Sequence, residues 1–194
     1  MRKRRHIPPF TNYYQMVGFF DGVAKDGAGG CGFIIYLTEV HFFRGWMGLD
    51  ISTNNFSELM AVWLLLHWAH KQHIRDIRIF GDSRIVIDWL QGKTVLQAVT
   101  LYYWCSKIRE LIKCFGQIHF GHIYREHNME ADNLSKKGIG CPVGVLQVEE
   151  VDGDTYRQTN DYRIYWNEFT FIDLLFLCFI LSHHEHHYVR KLLW

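Results

Sequence analysis

Net charge is almost absent from this chain: 21 Lys and Arg face 20 Asp and Glu, giving +1 over 194 residues. No global field therefore announces a polyanionic partner. The local exception is Arg2-Lys3-Arg4-Arg5, a short basic start that reads as a solvated tail, a nucleic-acid contact or a nuclear-import signal. Cysteine pairs with metal-ligand spacing are also missing, because Cys31, Cys105, Cys114, Cys141 and Cys178 are scattered and odd in number. No apolar stretch follows the basic start, so no secretory signal is read. An intracellular, reducing compartment is expected, with the nucleus as one option. No apolar run reaches the roughly 20 residues of a membrane span. The nearest, Phe169 to Leu181, is interrupted by Thr170 and Asp173 and reads as a helix packed on the domain or on a protein partner.

Hydrophobic residues make up 48% of the chain and aromatics 16%, enough for a sizeable core. Residues 1–14 read as a basic N-terminal arm, in which Pro8-Pro9 forbids a helix. Met16 to Phe20 is a short strand ending at Asp21-Gly22, and Cys31 to Leu37 and Val40 to Leu49 read as two more. Asn55 to Lys71 has helical spacing. Ile77 to Phe80 alternates as a strand and leads into Gly81-Asp82-Ser83, then a short helix from Arg84 to Leu90. Ala98 to Phe115 is amphipathic, Ile118 to Tyr124 alternates again, and Asn128 could cap a last helix through Asp132. The order predicts a mixed α/β sheet protein over residues 15–140. Residues 141–194 read as a C-terminal extension, polar and turn-like over 150–163.

Two motifs invite other chemistry. Gly27-Ala28-Gly29-Gly30-Cys31-Gly32 matches GxGxxG, but a strand-like stretch follows instead of a helix, so a glycine-rich hairpin is the better account. His183-His184-Glu185-His186-His187 lacks the zinc-protease pattern and reads as a solvated helix end.

Glu58 is out of place. At helical spacing it shares a stripe with Val62, Leu65 and Leu66, where a bare carboxylate costs several kcal/mol. Asp21, Asp82 and Asp132 also stand at strand ends or in a first helical turn. Each alone could cap a turn or favour a helix dipole. Sites in α/β sheets lie beyond strand ends, however, so the topology could bring the four together. Two carboxylates at ~4 Å repel by ~4 kcal/mol at an effective dielectric of ~20. A converged cluster needs protons or a cation, and an all-oxygen set selects Mg2+ or Mn2+. Such a site suits two-metal phosphodiester hydrolysis.

Phe20-Asp21-Gly22, Thr53-Asn54-Asn55 with Glu58-Leu59, Gly81-Asp82-Ser83, and the run from Arg125 to Leu134 together resemble ribonuclease H. The resemblance is to the plant reverse-transcriptase-like branch, related to non-LTR retroelements. It implies a five-stranded mixed sheet, the first three strands antiparallel, with helices on both faces. It implies hydrolysis of the RNA strand of RNA–DNA hybrids, with Asp21, Glu58, Asp82 and Asp132 as ligands of two Mg2+ (or Mn2+) ions. Asn54 and Asn55 match positions that read the 2′-hydroxyl in the hybrid's minor groove, and Ser83 and Arg125 join them as substrate contacts. His127 stands where relatives carry a histidine in a longer loop. The basic handle helix of some relatives has no counterpart, since Gly92 to Trp104 holds one lysine, Lys93. Weak hybrid binding without a partner is therefore expected. The alternative is an inactive module that binds nucleic acid, RNA–DNA hybrid or double-stranded RNA, or a protein.

Overall fold

β1 (Met16–Lys25) and β2 (Ala28–Tyr36) form a hairpin. Its turn residues Asp26 and Gly27 have φ of 52° and 84°. Positive φ at both positions matches the tight turn that suits the right-handed twist of paired strands. The GxGxxG stretch is this hairpin and no dinucleotide loop. The computed structural model describes residues 16–50, 52–96, 98 and 101–164. The basic arm, the apolar run from 169 to 181 and the histidine cluster lie outside the described residues.

The sheet has seven strands in the order β5-β4-β1-β2-β3-β6-β7. β3 (His41–Leu49) runs antiparallel to β2, whereas β4 (Asp76–Gly81) is parallel to β1 and β5 (Gln117–His122) is parallel to β4. The five-stranded expectation is corrected by β6 (Val145–Asp152) and β7 (Thr155–Arg163), which pair with β3 and with each other. Residues 150–163 are thus mostly strand, turning only at Gly153-Asp154. They look turn-like in sequence because Thr155 to Thr159 are exposed and the strand carries no alternating apolar face. Everything described up to Arg163 belongs to one compact unit.

Helices cover both faces. α1 (Asn54–Lys71) is capped by Thr53, whose hydroxyl accepts from the Phe56 N–H at 3.3 Å. From Leu59 to Leu66 every residue of α1 is buried, between the sheet on one side and α3 (Tyr102–Ile112) on another. α3 as described, from Tyr102 to Ile112, falls within the helix expected over Ala98 to Phe115. α2 (Arg84–Leu90) follows β4. α4 (Met129–Ile139) lies across β1, β2 and β3 on the opposite face. Its outer side is tied to the added strands by Lys137, which lies over the Trp46 ring at 3.3 Å and 3.4 Å from Glu149. Arg44 bonds the same Glu149 at 2.8 Å.

The approach of the helices to the sheet depends on missing side chains. A Cβ on Gly22 of β1 would lie 2.1 Å from the Ser57 carbonyl carbon of α1. Backbone cannot yield as a flexible side chain can. Gly22→Ala is expected to destabilise the fold by about 3 kcal/mol, as overpacking does. The urea midpoint reports it; wild-type stability would mean that α1 does not rest on β1 here.

Candidate active site

Side chains alternate across β1, so Phe20 is fully buried while Asp21 turns toward the α4 face, where Ser135 meets it. Asp21 does not end its strand: β1 continues to Lys25, paired with β2. Its parallel pairing with β4 ends two residues earlier, at Phe19 and Phe80. The two strands are released from each other there, and Asp82 follows β4 into the gap. Glu58 enters from the first turns of α1, brought close because Gly22 has no side chain.

Ligand-capable oxygens of Asp21, Glu58 and Asp82 all lie within 4.8 Å of one another. Asp21 is 4% exposed and Glu58 8%. Burial, and then the charges of Asp82 and Asp132, push the Asp21 carboxyl up to about 7 despite the opposing Ser135 hydrogen bond. Burial, with Asp21 and Asp82 nearby, pushes Glu58 well above its ordinary range. Glu58 Oε2 is buried without a hydrogen-bond partner. A buried orphan oxygen beside two further carboxylates fits a hard divalent cation, which would satisfy all three.

Asp132 stands apart from this trio. It is 1% exposed, and its oxygens are taken by Arg125 at 2.6 Å and Lys136 at 2.5 Å. Burial opposes its ionisation, but the hydrogen bonds from Lys136 and Arg125 outweigh burial and hold it below the usual carboxylate range. The structure thus brings three of the four expected carboxylates into one cluster, with the fourth alongside in ion pairs.

The other expected residues surround the trio. Asn54 Oδ1 accepts from the Ala24 N–H at 3.0 Å, and Asn55 is exposed on the first turn of α1. Ser83 precedes α2 by one residue and makes no side-chain cap bond. His127 is exposed on a short 3-10 turn, Arg125–His127. Asn128 occupies the N-cap position read in the sequence, but its side chain makes no cap bond. Its side-chain amide donates to the Phe20 carbonyl at 2.9 Å and to Asp82 Oδ1 at 3.1 Å, joining α4 to β1 and β4. Ser135 and Lys136 were not singled out in the sequence. Their signal is spacing alone, three and four residues after Asp132 on one helix face.

A mixed sheet of this order, with carboxylates from β1, α1 and the end of β4, is a ribonuclease H-like fold. Residues 19–138 match the family described as reverse transcriptase-like, and the chain belongs to that family. RNase H1 from the halophilic archaeon Halobacterium salinarum superposes with a TM-score of 0.58 at 24% identity, over 64% of this chain and 96% of that one. The N-terminal RNase H domain of a Mycobacterium tuberculosis protein, solved as a fusion with maltose-binding protein, gives 0.59 at 20%, over 64% and 93%. LC11-RNase H1, isolated from compost and solved in complex with an RNA/DNA hybrid, gives 0.58 at 22%, over 64% and 96%. These likenesses establish the fold.

The raised Asp21 has a measurable consequence. Its ordinary value is 3.8, so below that pH the proton is bound in both folded and unfolded chains. The folded state holds the proton more tightly. The stabilisation is complete below 3.8 and is lost as pH rises toward about 7. The loss is on the order of 2–4 kcal/mol in EDTA. Urea midpoints across that range should fall for wild type and stay flatter for Asp21→Asn. Coincident profiles would count against a protonated Asp21.

Proposed function

We propose that this protein is a metal-dependent endoribonuclease that hydrolyses the RNA strand of RNA–DNA hybrids. The observation that carries the reading is the trio of buried Asp21 and Glu58 with half-buried Asp82, in which Glu58 Oε2 has no hydrogen-bond partner. These three would hold Mg2+, with Mn2+ as a substitute, and Asp132 would complete a two-ion site. Bound ions of this kind supply Lewis-acid stabilisation of the attacking and leaving oxygens of a phosphodiester.

The chain's own residues orient the hybrid. With Asn54 Oδ1 held by Ala24, the Asn54 amino group remains to donate to a 2′-hydroxyl, and exposed Asn55 adds a donor and an acceptor. Ser83 stands next to Asp82 and contacts the strand there. Arg125, two-thirds exposed while bonded to Asp132, meets a backbone phosphate. His127, exposed one residue before Asn128, serves in proton transfer or product release. The same reading includes an intracellular setting, nucleus among the options, kinship with plant retroelement domains, and a protein partner held through residues 169–181. Free thiols at Cys31, Cys105, Cys114 and Cys141 suit a reducing compartment.

The second reading is a binding module without turnover. The double ion pair on Asp132 favours it, because Arg125 and Lys136 occupy a carboxylate that a second ion would need. One assay separates them: cleavage of an RNA–DNA hybrid titrated with Mg2+ and Mn2+. Hydrolysis is expected, and Asp21→Asn or Asp82→Asn should lower it by at least roughly 100-fold, since losing even an outer-shell partner costs 10–100-fold. Hybrid binding with no turnover in either metal would leave the second reading standing.

A further inference from the structure

Asp21 and Gly32 face each other across the β1–β2 pair. A Cβ on Gly32 would lie 2.5 Å from the Ser135 backbone nitrogen, and one on Gly30 would lie 2.1 Å from the Ser135 carbonyl oxygen. α4 therefore rests its backbone on β2 at Ser135, level with Asp21. Ser135 is fully buried there. Its Oγ lies 2.5 Å from Asp21 Oδ2 and 2.9 Å from the Asp132 carbonyl oxygen. A serine hydroxyl has one hydrogen, and both neighbours are acceptors. The shorter contact, to Asp21 Oδ2, takes it once that carboxylate is ionised, as a bound cation would keep it.

We propose that Ser135 is a positioning residue that fixes the Asp21 carboxylate for divalent-cation binding. Donation to Oδ2 holds the carboxylate plane, and Oδ1 would then be available to a cation held with Glu58 and Asp82. The glycine pair in β2 puts the hydroxyl in reach of Asp21, with the Asp132 carbonyl oxygen 2.9 Å away as the competing acceptor. Without the hydroxyl, Asp21 is free to rotate about its side-chain bonds, and an ion must select the productive rotamer. The inference rests on the metal-dependent reading above.

The test is Mn2+ binding to the full chain by calorimetry, with cleavage kinetics on a hybrid. Ser135→Ala should bind Mn2+ roughly 10-fold more weakly, the usual scale for an outer-shell partner. Ser135→Cys keeps a side chain of about the same shape but donates poorly. It should weaken binding in the same direction, which a packing role would not do. In both variants kcat at limiting metal should fall while KM for the hybrid stays within about twofold. Wild-type Mn2+ affinity in Ser135→Cys overturns the proposal, as does a rise in KM with kcat unchanged. Failure of the underlying reading looks different: wild type and Asp21→Asn would then bind Mn2+ equally.

Discussion

Two contacts between helix backbone and strand glycine set the geometry of everything else. Gly22 lets the start of α1 settle on β1, and Gly30 with Gly32 lets α4 settle on β2. The helices lie on opposite faces, yet both reach the same short stretch of adjoining strands. Asp21 sits at that crossing. Glu58 comes to it from one face and Ser135 from the other. Side chains at these glycines would push the helices outward and pull the carboxylates apart, whatever their identities.

This close packing carries an electrostatic cost. Burial raises Asp21 and Glu58, so the cluster at neutral pH is a place where protons are held against their ordinary tendency. Asp132 shows the contrasting solution: equally buried, it is kept ionised by two cationic side chains whose own ends reach solvent. One site thus contains two ways of tolerating buried carboxylates, by proton and by ion pair. A divalent cation is a third, and only the trio has an oxygen left over for it.

Much of this was legible in the chain. Glu58 betrayed itself by sitting on an apolar stripe, and Asp21 and Asp82 by following apolar stretches, although β1 runs on past Asp21. The hairpin reading of the glycine-rich stretch is correct because Asp26-Gly27 has turn chemistry and no helix follows. What stayed hidden depends on register. That Gly32 stands opposite Asp21 is a property of the β1–β2 pairing, and no local pattern near Ser135 encodes it. Asn128 stands at the cap position read for it, but its side chain bonds partners 108 and 46 residues away, which no local pattern encodes. β7 was missed because Thr155 to Thr159 are all exposed and offer no apolar alternation to read, although β6 before it does alternate at buried Leu146 and Val148.

The β6–β7 hairpin also bears on solubility. β3 carries Phe42, Phe43, Trp46, Met47 and Leu49, all buried. Left as the last strand, it would offer an apolar row with unpaired backbone groups, a template for pairing between chains. β6 closes that row, and β7 presents Thr155, Tyr156, Arg157, Gln158 and Thr159 to water instead. A register irregularity between β6 and β7 further spoils the outer strand as a template. Ending the chain at residue 138, where the family match stops, would keep the acidic trio and expose a sticky edge. The added strands then protect the protein from its own aggregation, a service to its lifetime in the cell rather than to its chemistry.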